Sequence, residues 1–192
     1  MAVPRIGVLA LQGDVREHLR LLQGCGAEVQ TVRQPDELQG LQGLVLPGGE
    51  STTMSRLIQR FELLEPLREA FQRGVGCLAT CAGTILAARE IRDGLPDQVQ
   101  LGILDILVRR NAFGRQLDSG EVELAVPALG PEAIRVALIR APAIEWAGPQ
   151  VEVLTTYRDQ PAAVRQGRHL GLIFHPEITG DPRFHQLFLE RL

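Results

Sequence analysis

Through its first ninety residues the chain alternates apolar runs of strand length with stretches of helical period, and this alternation restricts the architecture sharply. Arg5 to Leu11 reads as a buried strand, and Asp14 to Gln23 as a helix with Val15, Leu19 and Leu22 on one face. Glu28 to Val32 and Gly43 to Leu46 read as further strands, the latter running into Pro47-Gly48-Gly49. Ser51 or Thr52 is a candidate cap for a helix carrying Met54, Leu57, Ile58 and Phe61, and another helix runs to about Arg73. Val75 to Leu78 is a fourth strand, followed by a helix-like stretch over Ala82 to Glu90. Strands separated by helices pair in parallel, and the helices then cover both faces of the sheet. After residue 100 the pattern changes. Gly102–Val108, Glu121–Val126, Ile134–Ile139, Val151–Tyr157 and Ala162–Gln166 read as strands with little helix between them, which predicts an antiparallel part or a side extension. Leu170–Phe174 is the last core strand, and Asp181–Leu192 a closing helix with Phe184, Leu187, Phe188 and Leu192 inward. With no repeat, linker or low-complexity tract, residues 1–192 are expected to form a single domain: α/β, three layers, an open mixed and mostly parallel sheet with helices on both faces.

The passage from Val75 to Glu90 carries chemistry as well as topology. Ala79-Thr80-Cys81-Ala82-Gly83 sets a cysteine among small residues at the expected strand-to-helix bend. Small neighbours suit a crowded turn that exposes a nucleophile, and a helix N-terminus behind the sulfur favours the thiolate. A free cysteine is more often a buried structural residue, so the elbow alone does not decide.

Four segments follow strands and should share one sheet edge, the edge where open parallel sheets bind ligands. They are Gln12-Gly13, Pro47-Gly48-Gly49-Glu50-Ser51, Cys81 and His175-Pro176-Glu177. In an extended segment His175 and Glu177, two apart, point the same way, and Pro176 biases His175 toward that geometry. Glu177 can then hold the imidazole of His175, which can reach Cys81: nucleophile, base and orienter. A lone histidine would more often be a hydrogen-bonded core residue, but the three together favour a triad. Glycine amides at Gly48 or Gly49, with the amide of Ala82, could form an oxyanion hole; by itself Pro-Gly-Gly is usually a plain turn. His18, His169 and His185 lack such company and read as structural or surface residues.

Composition excludes several classes. The net charge of -3 gives no electrostatic case for nucleic acid or an anionic membrane. No apolar run approaches the ~20 residues of a membrane span, and the N-terminus lacks the layout of a cleaved signal, so a cytoplasmic location is expected. Cys25, Cys77 and Cys81 have no metal-type spacing and suggest neither disulfides nor a structural metal site. All 20 basic residues are Arg, which removes Schiff-base lysine chemistry and a Walker A lysine.

The elbow cysteine, the Pro-Gly-Gly loop and the late His-Pro-Glu together resemble the class I (triad) glutamine amidotransferases. The closer similarity is to glutaminase subunits of pyridoxal 5'-phosphate synthase. It rests on Leu11-Gln12-Gly13 with Arg16-Glu17-His18, Leu46 to Thr53, Thr80-Cys81-Ala82-Gly83, Arg110 to Gln116, Ile139-Arg140-Ala141-Pro142 and Phe174-His175-Pro176-Glu177, in order along nearly the whole chain. The resemblance implies a flavodoxin-like fold and hydrolysis of L-glutamine to glutamate and ammonia through a glutamyl thioester on Cys81. His175 would move the proton and Glu177 would orient it. Gly49, Glu50, Ser51, Arg110, Ile139 and Arg140 would bind glutamine; a guanidinium suits the substrate carboxylate. The resemblance implies no cofactor on this chain. Ammonia would pass to a separate (β/α)8-barrel synthase subunit in a large hetero-oligomer, docked over the face bearing Gln12. The chain departs from the usual family pattern at Ala79 (usually Gly), Gly120 (usually aromatic), Cys77 and Thr84 (usually a larger apolar residue). Competing readings are a glutaminase serving another synthase, such as imidazole glycerol phosphate synthase, a non-catalytic redox-sensing cysteine protein, and a structural subunit with a vestigial triad.

Overall fold

The computed structural model describes residues 3–110 and 120–192. A seven-stranded sheet forms the centre. In spatial order it runs β10 (Glu152–Tyr157), β11 (Gln160–Gln166), β12 (His169–Leu172), β4 (Gly76–Thr80), β3 (Gly43–Leu46), β1 (Arg5–Leu9) and β2 (Glu28–Val32). The five strands from β12 to β2 are parallel; β11 and β10 extend the sheet antiparallel. Strands β3 and β4 are buried along their whole length, as central strands of a two-sided parallel sheet must be. Each fully buried Leu, Ile or Phe in such a core contributes ~1.5–3 kcal/mol relative to exposure.

Helix α1 (Val15–Gly24) contacts α5 (Pro176–Thr179) and α6 (Arg183–Leu189), while α2 (Ser51–Arg60) contacts α4 (Ala82–Ala87). Strand β4 shows that these groups lie on opposite faces. Its Thr80 hydroxyl meets His18 of α1, whereas Gly171, the sheet partner of Ala79, lies under Thr84 of α4. Helix α3 (Leu64–Gln72) packs Leu67, Ala70 and Phe71 into the core. The second half adds a three-stranded sheet of β5 (Ala88–Arg92), β6 (Leu104–Arg109) and β9 (Ala143–Ala147), and a hairpin of β7 (Gly120–Leu124) and β8 (Ile134–Leu138).

Several expectations need correction. The first strand ends at Leu9, before Ala10 and Leu11. The elbow helix stops at Ala87, and Ala88–Arg92 turns into β5, where Ala88, Glu90, Ile91 and Arg92 pair along β6 and Arg89, Glu90 and Arg92 are exposed. The sequence pattern does not mark β9, because Ala143–Ala147 is short and alternates weakly. Phe61 lies past the end of α2 and is exposed. The cap of that helix is Glu50, whose carboxylate accepts the N–H groups of Thr52 and Thr53 at 2.9 and 2.7 Å. The Asn111-to-Gln116 part of the Arg110 string lies outside the described residues.

Candidate active site

Strand order reverses between β1 and β3, and the loops leaving their C-terminal ends are stitched together there. The N–H of Asp14 donates to the carbonyl of Gly48 at 3.2 Å, and the N–H of Glu50 donates to Oε1 of Gln12 at 2.7 Å. This is the crevice that a topological switch point creates. It opens as a cleft of about 340 Å³, lined by Gln12, Asp14, Gly49, Glu50, Ser51, Cys81, Ala82, Ile85, Arg110, Ile139, Arg140 and His175. Segments spread over the chain from residue 12 to residue 175 therefore meet because four neighbouring strands end on one edge.

Cys81 sits at φ 45°, ψ -103°, between β4 and α4. A non-glycine residue at positive φ costs on the order of 1–3 kcal/mol, and such conformations cluster at functional sites. The bend is held by the Cys81 N–H donating to Leu172 of β12 at 2.8 Å. Behind it Gly83 rides directly on β3: a Cβ there would fall 2.7 Å from the carbonyl carbon of Leu46 and closer still to its oxygen. Only glycine permits that approach. Ala82 opens α4, so its N–H has no intrahelical acceptor. At six residues, α4 is shorter than the helix expected behind the sulfur.

His175 follows β12 and is almost fully buried. A pair of antiparallel bridge bonds to Ala137 of β8 holds its backbone, with the His175 N–H donating at 2.9 Å. The same strand leads into Ile139 and Arg140, so one element holds the histidine and forms the lip of the cleft. Ile139 is exposed, and its carbonyl lies 3.8 Å from the Cys81 sulfur; Arg140 has φ 45°. Nδ1 of His175 lies 2.8 Å from Oε1 of Glu177, and the ring also hydrogen-bonds Cys81. The two residues do face one another, but not through an extended segment. His175 is the N-cap of the one-turn helix α5, with Pro176 at its first position and Glu177 at its second.

Asp14, expected only as the start of a helix, and His18, expected as a structural or surface residue, complete the surroundings. Asp14 brings Oδ2 to 3.1 Å from the same Nδ1 of His175. His18 is fully buried, not on the surface, and its Nε2 lies 3.4 Å from Glu177 Oε1. His185 is buried against His18. Burial alone would lower the His175 pKa, but hydrogen bonds to Asp14, Cys81 and Glu177 outweigh it and push it up to about 12. Burial alone would raise Glu177, yet the imidazoles of His18 and His175 on either side of it hold its carboxyl below the usual carboxylate range. The imidazolium–carboxylate pair is therefore the stable form at neutral pH.

At the other end of the cleft Arg110 donates to Gln98 Oε1 at 3.1 Å and Thr52 Oγ1 at 3.0 Å, and lies 3.4 Å from Glu50 Oε1. Burial works to raise the Glu50 pKa, but the hydrogen bonds from Thr52 and Thr53 together outweigh it and lower it to about 2, so the carboxylate stays ionised. An anionic and a cationic group thus stand side by side at the cleft wall. Ser51 is buried at the start of α2, and Gly48 lies beneath the His175 ring. Among the described residues, Asp14, His175 and Glu177 are the one group whose ligand atoms fall within 4.8 Å of one another, a cluster that sequence spacing hid. An ion there would need the His175 Nδ1 that both carboxylates already approach, displacing its proton.

Of the departures from the family pattern, Ala79 is accommodated fully buried, Gly120 begins an exposed strand, and Cys77 is buried in β4, where burial pushes its thiol up. Thr84 does more: its hydroxyl lies 3.1 Å from Ala79 O and 2.7 Å from Leu172 O, and accepts the Leu172 N–H at 3.0 Å.

Residues 8–192 match the SNO glutamine amidotransferase family. Over 190 residues the chain is 55% identical to "Pyridoxal 5'-phosphate synthase subunit PdxT" of Parafrankia sp. (strain EAN1pec), covering 99% of this chain and 94% of that protein. It is 54% identical over 187 residues to the protein of the same name from Mycobacteroides abscessus, covering 97% and 96%. A solved structure described as a glutamine amidotransferase superimposes with a TM-score of 0.89 at 46% identity, covering 96% of this chain and 97% of the other. The structure of PurLQS from Thermotoga maritima shares the fold at a TM-score of 0.71 and 19% identity, over 98% and 99% of the two chains. On the extent of these matches, the chain belongs to the SNO glutamine amidotransferase family.

Proposed function

We propose that this glutamine amidotransferase hydrolyses L-glutamine with Cys81 as nucleophile, His175 as proton carrier and Glu177 as orienter. The observation that carries the reading is the strained Cys81 facing the buried His175–Glu177 pair within the cleft. Nδ1 of His175 is turned to the carboxylates, which leaves Nε2 for the sulfur. With the imidazole protonated at neutral pH, the sulfur attacks the side-chain amide carbon as thiolate. His175 then donates its Nε2 proton to the departing ammonia, leaving a glutamyl thioester. Water adds to the thioester, gives its proton to His175, and releases glutamate.

The amides of Ala82 and Gly49, or Gly48, are the proposed oxyanion donors. Because the Gly48 carbonyl is turned to Asp14, the Gly49 N–H on the same trans peptide points the opposite way. One such donor contributes ~3 kcal/mol to the transition state. Arg110 and Arg140 suit the substrate carboxylate and Glu50 its ammonium, with Gly49, Ser51 and Ile139 lining the rest. Close relatives carry the name of a pyridoxal 5'-phosphate synthase subunit, which supports ammonia delivery to a synthase partner in vitamin B6 synthesis. In this reading the partner is a (β/α)8-barrel subunit docked over the Gln12 face in a large cytoplasmic hetero-oligomer. One continuous hydrophobic core, from Ile6 to Phe188, supports treating the chain as a single domain.

The test combines purified protein, glutamine, pentose and triose phosphates and the cognate synthase subunit. Glutamate release and pyridoxal phosphate formation should both appear, and both should cease in Cys81→Ala. Full glutamate release by that variant would refute the mechanism; release stimulated only by a different synthase would refute the pathway.

A further inference from the structure

The triad carboxylate is approached from two sides. His175 meets Oε1 of Glu177 from the cleft, and His18 meets the same oxygen from beneath, through Nε2 at 3.4 Å. His18 Nε2 is also 3.2 Å from Thr80 Oγ1, the residue before the nucleophile, and its Nδ1 is 2.9 Å from Nε2 of His185. Glu177, His18 and His185 are all buried, and they come from α5, α1 and α6. The reaction itself needs one imidazole, yet the fold brings three into a row behind the nucleophile.

Proton accounting fixes what this row can do. Burial pulls the His185 pKa down to about 3, against Glu177 and Asp181, which act to raise it; His185 is therefore neutral and carries one proton. Among the described residues Nδ1 of His185 has no hydrogen-bond partner. A proton placed there would be an orphaned buried N–H, rarer in proteins than an unpaired lone pair. The proton belongs on Nε2, donated to Nδ1 of His18. His18 then carries its own proton on Nε2, facing Glu177 and the Thr80 hydroxyl.

We propose that His18 is a positioning residue for catalysis: its Nε2–H holds Oε1 of Glu177 on His175, and His185 sets the tautomer that makes this possible. The need is visible in the site. His175 has one Nδ1 proton and two carboxylates near it, Glu177 at 2.8 Å and the more exposed Asp14 at 3.1 Å. The other Glu177 oxygen, Oε2, has no partner among the described residues and cannot anchor the carboxylate. Without the donor on His18, Glu177 is free to rotate, and the imidazole is free to follow Asp14 away from its line to Cys81.

The inference rests on the triad reading above, and its test separates the two. Glutamate release by the complex with the synthase subunit is measured for His18→Leu, His18→Gln and Cys81→Ala, and folding of each is checked by urea denaturation. His18→Leu loses its donor to a charged acceptor, and kcat should fall about 10- to 100-fold with KM little changed. His18→Gln can return an N–H to the Nε2 position and should recover most of that loss. The low-pH limb of Cys81 alkylation by iodoacetamide should move to higher pH in His18→Leu, because a misaligned imidazolium supports the thiolate less. A folded His18→Leu with wild-type kcat and an unchanged alkylation profile would overturn the inference, as would equal losses in both His18 variants. If His18→Leu does not fold, 15N-histidine NMR of the wild-type protein still decides: a proton on His18 Nε2 with Nδ1 bare supports it, and the opposite tautomer overturns it. Activity in Cys81→Ala would bring down the triad while leaving the NMR result on His18 readable.

Discussion

Gly48→Ala tests the close approach of the His175 ring to the loop after β3. The backbone at Gly48 lies outside the positive-φ region, so alanine is conformationally allowed. Its methyl group, however, would fall 2.7 Å from Nδ1 of His175 and nearer to Cε1, with Asp14 Oδ2 at 3.1 Å. Ordinary carbon contacts need ~3.5–4.0 Å, so the ring must withdraw by about 1 Å. The ring cannot yield by sliding its backbone, which is bridged to Ala137 on both sides. It must rotate, breaking its alignment with Glu177 or with Cys81. A displacement of about 1 Å in a reacting group costs ~100-fold in rate, and overpacking a tight site costs ~1–3 kcal/mol in stability. The substitution removes no backbone N–H, so the proposed oxyanion donors persist. Alkylation of Cys81 by iodoacetamide does not use those donors, and it should slow alongside glutamate release. Gly24→Ala, at a site with open space around the added Cβ, serves as control and should be neutral or slightly stabilising. A folded Gly48→Ala with wild-type kcat and alkylation rate would refute the packing argument.

Thr84→Val keeps shape but strands the Leu172 N–H and loosens α4 from β12; it should cost about 1–3 kcal/mol in urea denaturation, and an unchanged midpoint would contradict it. Because the folded-state pKa of Glu177 is depressed, its contribution to stability is present above the unfolded value of about 4.3 and is lost as pH falls further. Denaturation curves of wild type and Glu177→Gln should therefore differ at pH 7 and converge in acid. The His175 pKa is raised, so its contribution is full below about pH 6.5 and declines as pH rises toward about 12; the gap to His175→Gln should narrow across that range. Glu50→Ala removes the cap of α2 and the partner of Arg110. It should cost about 1 kcal/mol in stability and raise KM for glutamine more than it lowers kcat, which steady-state kinetics will show.

The central sheet was readable because its strands are apolar runs and the intervening helices carry a 3.6-residue stripe. Both signals are local, as at Gly43–Leu46 and around Leu19 and Leu22. Strands β5 and β9 escaped because half-exposed edge strands such as Ala88–Arg92 have no distinctive period. The motif residues were legible as candidates, and all of them except Gly48 and the buried Glu177 line one cleft. Their partners were not legible. Asp14 looked like a helix-start residue, and His18 like any histidine on an amphipathic helix.

Residue types and local period thus determined the alternating architecture, the small-residue bend at Cys81 and the pairing of His175 with Glu177. Only the tertiary structure decided which distant groups share a proton with them. Asp14 meets His175 because β1 and β12 end on one edge, although 160 residues separate them in the chain. His18 meets Glu177 and His185 because α1, α5 and α6 pack on one face of the sheet. Such contacts follow from how layers stack in space, and a hydrogen bond between residues on separate elements leaves no periodic trace along a chain.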